Sequence, residues 1–497
     1  MKHDSGRLDR KIARLLTGAK PRVLELCSGC GGMSLGLQSA GFELSAQIES
    51  DIVANTSHAM NFAPAEGKSY DAWIKPRNMI TCSLEDIIKE FELSGSATQA
   101  FDVVAAGLPC QAFARIGRSK LRSVTGDKQA FKNDARALLY QRFLQFIEQA
   151  QPLAVILENV PDILNFGGHN VPEEISATLD ALGYESRYTL LNGAFYGVPQ
   201  LRERLFLLAV SKRLGVVPTF PEPTHTIELP RGYEGSRSVA LKHVQREASH
   251  FSEIPKPGRG LPDAVSAEDA LADLPFISEH LRDASVIGRR KVTDRLPYRQ
   301  DRDPSAYALA MRSWKGFEAD GYVDGHVVRL TARDFPIFGR MPRGGDYPVA
   351  LRVAHGLLEA RLKSLQKRSG RPSRNSAKYR KLVALTVPPY DVTKFPNRWW
   401  KIDPSAPART LTAHIGKDTY SHIHYDGRQK RTISVREAAR LQSFPDGFFF
   451  AGAMNASFRQ IGNAVPPVLA LAVAGAMMKT LLDAAAATRK PKRLAAA

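Results

Sequence analysis

The stretch PRVLELCSGCGGMSLGLQSAGFELSAQIESD, residues 21–51, decides the fold. An apolar run, Val23 to Leu26, leads into glycines at 29, 31 and 32. A helical segment follows to about Ala40, then a second apolar run ending near Glu49. Strand, glycine turn, helix and strand make the opening βαβ of a doubly wound sheet. Glycine at such a turn lets backbone approach a ligand at the helix N-terminus. An acid closing the next strand can accept ribose hydroxyls. The pattern fits a nucleotide-like cofactor, or a tight turn with no ligand. Its spacing, GxGG followed by MSLG, departs from the GxGxxG of nicotinamide dehydrogenases. Cys27 and Cys30 form a CxxC with no second pair at zinc spacing, so they read as small packing residues.

Further strands follow. FDVVAAG (101–107) and PLAVILENV (152–160) are apolar and rich in valine, and residues 185–210 hold two more. Helical stretches such as ALLYQRFLQFIEQA (137–150) lie between them. The alternation predicts an α/β fold with a mostly parallel, doubly covered sheet. Residues 1–20 read as a basic amphipathic helix. After about residue 211, Pro, Gly and basic residues rise and apolar periodicity weakens until about 405, as in a second domain with long loops. In RTISVREAARLQSF (431–444), Ser434 stands three residues before Glu437, a capping box. The Ala- and Leu-rich end, 465–487, predicts a helix that needs a core to bury against.

The chain has 497 residues, enough for more than one domain. It carries 69 basic and 50 acidic residues, a net charge of +19 that favours a polyanionic partner. Residues 361–381 hold nine lysines and arginines and no acid, and read as a phosphate-contacting surface. No run of about 18 uncharged apolar residues appears, so no membrane span is expected. The N-terminus lacks the pattern of a signal peptide. Four cysteines in so long a chain do not make a disulfide framework, and a reducing cytosol is the simplest setting.

One cysteine is placed differently from the others. Cys110 follows Pro109 at the carboxyl end of an apolar strand, where open α/β sheets bind ligands. Gln111 and Arg115 come next, and a nearby cation favours a thiolate that can attack. Two other segments end at the same sheet edge. ILENVPDIL places Glu158 and Asn159 after apolar strand residues, where an acid can serve as general acid. YGVPQLRERLFLLAV sets Gln200, Arg202 and Arg204 at alternating positions, one face of a strand. His422 and His424 also alternate but have no acid or cysteine at ligand spacing, so no metal site is expected.

GLPCQAF, LENV, QLRER and IGNAVPP, in this order after LCSGCGG, resemble the motif series of the DNA cytosine-5 methyltransferases. The resemblance spans about Val23–Val210 and Ala408–Met478. It implies a Rossmann-like S-adenosylmethionine-dependent sheet plus a smaller mixed target-recognition domain. The corresponding division is 1–210 catalytic and cofactor-binding, 211–450 variable, and 451–497 returning to the first domain. It implies that Cys110 adds to carbon 6 of a flipped-out cytosine, that Glu158 protonates or holds ring nitrogen 3, and that Arg204 with Arg202 binds the exocyclic oxygen or orients Glu158. Gln111, Arg115, Asn159 and Gln200 would serve the substrate. S-adenosylmethionine would lie against Cys27, Gly29, Gly31, Gly32, Glu49, Pro109, Leu139, Asn463 and Val465. The implied partner is double-stranded DNA, the implied form a monomer in the nucleoid-bearing cytoplasm, with a companion restriction endonuclease left open.

The chain departs from the family pattern in places. Cys27 stands where an aromatic is common, Cys82 or Ser83 where an acid usually binds the adenine, and Ala114 where a serine is common. Asp134 and Arg136 resemble a family DxR element. RNA of the tRNA type is the alternative substrate, and a non-catalytic DNA-binding protein on the same scaffold is the alternative class. The long 211–405 region favours DNA, and the presence of Cys110, Glu158 and Arg204 favours turnover.

Overall fold

A computed structural model describes residues 5–64, 68–109, 137–166, 168–230, 232–245, 250–393, 398–416 and 420–488. The chain divides into two compact units. The first comprises Met1–Gly197, Arg202–Asp263 and Ala464–Ala497; the second comprises Val198–Leu201 and Ala264–Asn463.

The first unit is built on helix α1 (Ser5–Leu16), β1 (Arg22–Leu26), α2 (Gly32–Ser39), β2 (Glu43–Ile48), α3 (Ile52–Phe62), β3 (Val103–Gly107), β4 (Ala154–Asn159) and β5 (Tyr184–Asn192). After the short β6 (Gln200–Leu201), which belongs to the second unit, β7 (Glu203–Ser211) completes the main sheet. The strand order is β2-β1-β3-β4-β7-β5, with β7 antiparallel to both neighbours and the rest parallel. Valine and alanine in β3 and β4 are buried without alternation because both faces of the sheet are covered.

Register aligns the carboxyl edge. Leu26 pairs with Ile48 and with Ala106, and Gly107 pairs with Glu158. Cys27, Glu49, Gly107 and Glu158 therefore fall in one row at the end of β1 to β4. On the antiparallel side Asn159 pairs with Leu205, which brings Arg204 one step past the end of β4.

The helical layers rest on specific contacts. Leu8, Ile12 and Leu15 bury one face of α1. Between them the Lys11 ammonium donates to Phe101 O, Ala150 O and Gln151 O at 2.6, 3.0 and 2.8 Å, satisfying carbonyls at the end of the Ala137–Ala150 helix. The C-terminal Pro467–Thr488 helix lies against α2, closest at Gly36, where a Cβ would stand 2.5 Å from Ala470 Cβ. The sequence has no unbroken run of 18 apolar residues, yet Met454–Ala487 is long and apolar enough to cross a membrane by composition. Packing gives this apolarity a use, since Leu469, Val473, Met477 and Leu481 are buried in the first unit.

The expected boundaries at 210/211 and 450/451 differ from those observed. Residues 202–263 belong to the first unit because Phe251 and Ala240 join the core of the main sheet. Tyr188 N donates to His250 O at 3.0 Å and Ser252 N to Tyr188 O at 2.8 Å, so this segment covers the edge strand β5. The loss of apolar periodicity after 211 marks loops and short helices that pack within the first unit. The return to the first unit comes at Ala464 rather than 451, because the Met454–Asn463 helix packs on the Val435–Leu441 helix of the second.

The second unit has few strands. An aromatic cluster of Phe335, Phe338, Tyr347, Trp399 and Tyr420 forms one core. The Val435–Leu441 helix starts at Ser434 with the expected capping box. Around it Arg431 and Glu437 form a buried two-bonded pair at 2.6 Å, and Arg440 pairs with Asp446 and Asp273 at 2.5 and 3.1 Å.

Candidate active site

The turn after β1 holds Cys27 at φ 53°, Gly29 at φ 58° and Gly31 at φ 102°. Glycine at 31 is required because a Cβ there would run into the Phe62 ring. At Gly29 a Cβ would meet nothing within 4 Å, so space beside that backbone is open. Glu49 closes the row. Its Oε2 accepts from Gly29 N at 2.8 Å, and its Oε1 accepts from Ser50 N and Asp51 N at 2.8 and 2.7 Å. Burial pushes the Glu49 carboxyl up while these backbone donors hold it down. Three bonds leave a carboxylate with about four acceptor positions one more to offer.

Beneath the turn lies a buried network that motif reading did not single out. Ser34 Oγ bonds to Glu25 Oε2 and lies 2.7 Å from His58 Nε2. Burial pushes Glu25 up to about 8 and His58 down to about 3. His58 stacks on Trp73 at 5.5 Å. The one sequence signal was an acid inside the apolar strand VLEL.

At the neighbouring edge Glu158 Oε1 accepts from Arg204 Nε at 3.1 Å. Glu158 is buried, and desolvation raises its proton affinity against the opposing charges of Arg204 and Arg202. Its Oε2 lies 3.9 Å from where a Cβ on Gly107 would stand, beside the strand end that leads to Pro109. Asn159 Nδ2 donates to Leu108 O at 3.1 Å and its Oδ1 accepts from Val160 N at 2.8 Å. Asn159 thus pins the backbone just before Pro109. Arg202 Nη2 donates to Ala464 O at 3.1 Å, joining the IGNAVPP segment to the Glu158 side of the unit.

Cys110, Gln111, Ala114, Arg115, Asp134 and Arg136 lie outside the described residues. Pro109 is exposed and Leu139 is half-buried against the main core. Val465 is buried in the first unit, while Asn463 ends the Met454–Asn463 helix of the second.

The single strand face drawn through Gln200, Arg202 and Arg204 is a correction. Gln200 lies in β6, which pairs with Ala408–Arg409 inside the second unit, whereas β7 begins only at Glu203. The buried Gln200 amide is used there: Nε2 donates to Leu441 O and Gln442 Oε1 at 3.1 and 2.6 Å, and Oε1 accepts from Leu411 N at 2.8 Å. Alternation along one chain does not reveal that the pairing partner changes at Arg202.

Cys27, Cys30, Cys82, His422 and His424 pack. Burial pushes the Cys27 and Cys30 thiols up to about 12. Ser83 caps the Leu84–Glu90 helix, accepting from Asp86 N at 3.0 Å, which leaves Cys82 as the one of the two packed with Cys27 on the main core. His422 Nε2 lies 3.0 Å from Arg409 O, and His424 lies against Glu437. Among the described residues no cluster suits a metal ion.

The chain is similar to known proteins. The sequence profile of the C-5 cytosine-specific DNA methylases matches residues 21–258 and 341–479. A protein of Oceanobacillus iheyensis named as type II methyltransferase M.OihORF3336P is 37% identical over 466 residues, covering 93% of this chain and 96% of the relative. Type II methyltransferase M.AgeI of Thalassovita gelatinovora is 29% identical over 473 residues, covering 91% and 98%. The solved structure of a DNA modification methyltransferase encoded within an Escherichia coli prophage has the same fold. It matches with a TM-score of 0.57 at 21% identity, covering 93% of this chain and 99% of that one. On these matches, which run nearly the full length of the chain, it belongs to the C-5 cytosine-specific DNA methylase family.

Proposed function

We propose that the chain methylates carbon 5 of a cytosine within a specific double-stranded DNA sequence, with Cys110 as nucleophile and S-adenosylmethionine as donor. The observation that carries this reading is the buried Glu158–Arg204 pair, in register with Gly107, three residues before Cys110. The open space at Gly29 and the spare acceptor of Glu49 fit a ribose-bearing cofactor. When bound, S-adenosylmethionine supplies an electrophilic methyl group.

The chain's own residues do the rest. The Cys110 thiolate adds to carbon 6, splitting a hard substitution into easier steps. Glu158, kept able to hold a proton by burial, gives it to ring nitrogen 3, so that no negative charge builds on the ring. Arg204 holds the Glu158 carboxyl in place, and Arg202 stands beside them under the carbonyl of Ala464. Asn159 holds the Leu108 backbone, two residues before Cys110 in sequence. After methylation, loss of the carbon 5 proton expels the thiolate. The target base must leave the duplex, at a cost of a few kcal/mol. Relatives named type II methyltransferases support a companion restriction endonuclease, and a monomer acting on DNA in the cytoplasm completes the reading.

The test is a duplex copied with 5-fluorocytosine throughout. Fluorine, unlike hydrogen, cannot leave carbon 5 as a cation, so the thiolate is not expelled and the enzyme remains bonded to the base. A DNA–protein band that survives denaturation, needs S-adenosylmethionine and disappears in Cys110→Ala is expected. No adduct, or an adduct that persists in Cys110→Ala, would overturn the assignment.

A further inference from the structure

The nine cations of residues 361–381 occupy the far end of the Tyr347–Ser369 helix, the turn after it, and the Ala377–Ala384 helix. The long helix buries Tyr347, Ala350, Ala354, Leu358 and Leu362 at helical spacing. Beyond Leu362 it buries nothing, and the short helix buries no residue. Packing therefore explains the first half of this hairpin and not the second.

Three of the nine cations are engaged within the hairpin. Arg361 Nη1 donates to Thr386 Oγ1 at 2.8 Å, Arg371 pairs with Glu359 at 2.9 Å, and Arg380 Nη1 donates to Asn375 O at 3.2 Å. The other six, Lys363, Lys367, Arg368, Arg374, Lys378 and Lys381, are exposed and have no anionic partner among the described residues. Lys363 and Lys367 are four apart on one helix, and like charges at that spacing destabilise it. A folded surface with this much uncompensated repulsion is relieved by a polyanion.

We propose that the hairpin end is a docking surface for duplex-DNA phosphates outside the methylated site, which rests on the reading of DNA as substrate. The cations are exposed and on flexible stems, which suits point contacts to backbone phosphates rather than base edges. Tyr379 is the one aromatic residue among 361–381, so the segment lacks the stacking platform of a single-strand binder. Among residues 361–381 Leu362 alone is buried, so no buried polar group converges there as a small anion would need. The surface therefore sets affinity and leaves the chemistry and the recognised sequence unchanged.

The test replaces Lys363, Lys367, Lys378 and Lys381 by Gln, which keeps helix propensity, beside a control with Lys20→Gln and Lys89→Gln. Binding to a 40-base-pair duplex is followed by fluorescence anisotropy between 50 and 200 mM KCl, and methyl transfer to genomic DNA gives kcat and KM. Each lost phosphate contact lowers the salt slope by about 0.9, so the slope should drop by about 2 to 4, with KM raised and kcat within twofold. An unchanged slope, an equal loss in the control, or tighter wild-type binding to double-stranded RNA of the same length would overturn the proposal. If the wild-type chain methylates no cytosine while the fourfold variant still loses DNA binding, the surface stands and the proposed reaction falls.

Discussion

Glu25 gives the most quantitative prediction. It sits in β1 under the glycine turn, with Ser34 as its bonding partner and its proton affinity raised by burial to about 8 from an ordinary 4.5. Between those two values the folded chain holds a proton that the unfolded chain has released. Stability from this group is therefore full below about pH 4.5 and falls as pH rises toward 8. At 1.36 kcal/mol per unit, the roughly 2.5 units separating pH 7 from the unfolded value cost about 3 kcal/mol. Glu25→Gln stays neutral at every pH and still offers an oxygen to Ser34. Its stability relative to wild type should rise by about 3 kcal/mol between pH 5 and pH 7.5. Hydrogen exchange of peptides covering β1 and α2, corrected for the intrinsic effect of pH, reads the opening free energy of this unit. A difference that does not change with pH would mean that Glu25 is charged in the folded state, and the argument would fail.

Three further outcomes follow from single contacts. Glu158→Gln should lower methyl transfer by about 10²- to 10⁴-fold with binding of DNA and S-adenosylmethionine retained, read by tritium incorporation and equilibrium dialysis. The wild-type rate should also fall on the alkaline side, because a carboxyl whose proton affinity is raised must keep its proton to act. Glu437→Gln strands the buried Arg431 guanidinium and should cost about 3 to 5 kcal/mol of stability in the second unit, seen as an earlier thermal transition. Gly36→Val forces a side chain into the Ala470 contact and should cost at least about 1 to 3 kcal/mol, with the first unit melting earlier.

Much of the first unit is legible because local signals agree with the fold. The turn at 29–32, and in the second unit the capping box at Ser434, each state a backbone need in residue type, and both stand where the chain implies. Glu158 and Arg204 are legible for a similar reason: charged residues where an apolar strand ends or begins mark the sheet edge. What stays hidden depends on partners far away in the chain. Gln200 shares its spacing with Arg202 and Arg204, yet β6 pairs with Ala408–Arg409, and no local pattern signals that exchange. The 211–263 segment holds only short elements, the Tyr233–Ala240 helix and a single bridge from Phe251 to β5, so composition alone reads it as another domain although it packs within the first unit. Ser34 and His58 look like ordinary helix polars, and only the packing of α2 and α3 on β1 brings them to Glu25.

The central claim is most directly tested by mapping cytosine methylation in the genome of a methylation-free host that expresses this chain, beside the same host expressing Cys110→Ala. One short sequence should carry 5-methylcytosine with the intact chain and none with the variant. A soluble, folded wild-type chain that leaves every cytosine unmodified, or a Cys110→Ala chain that methylates as well as wild type, would contradict it.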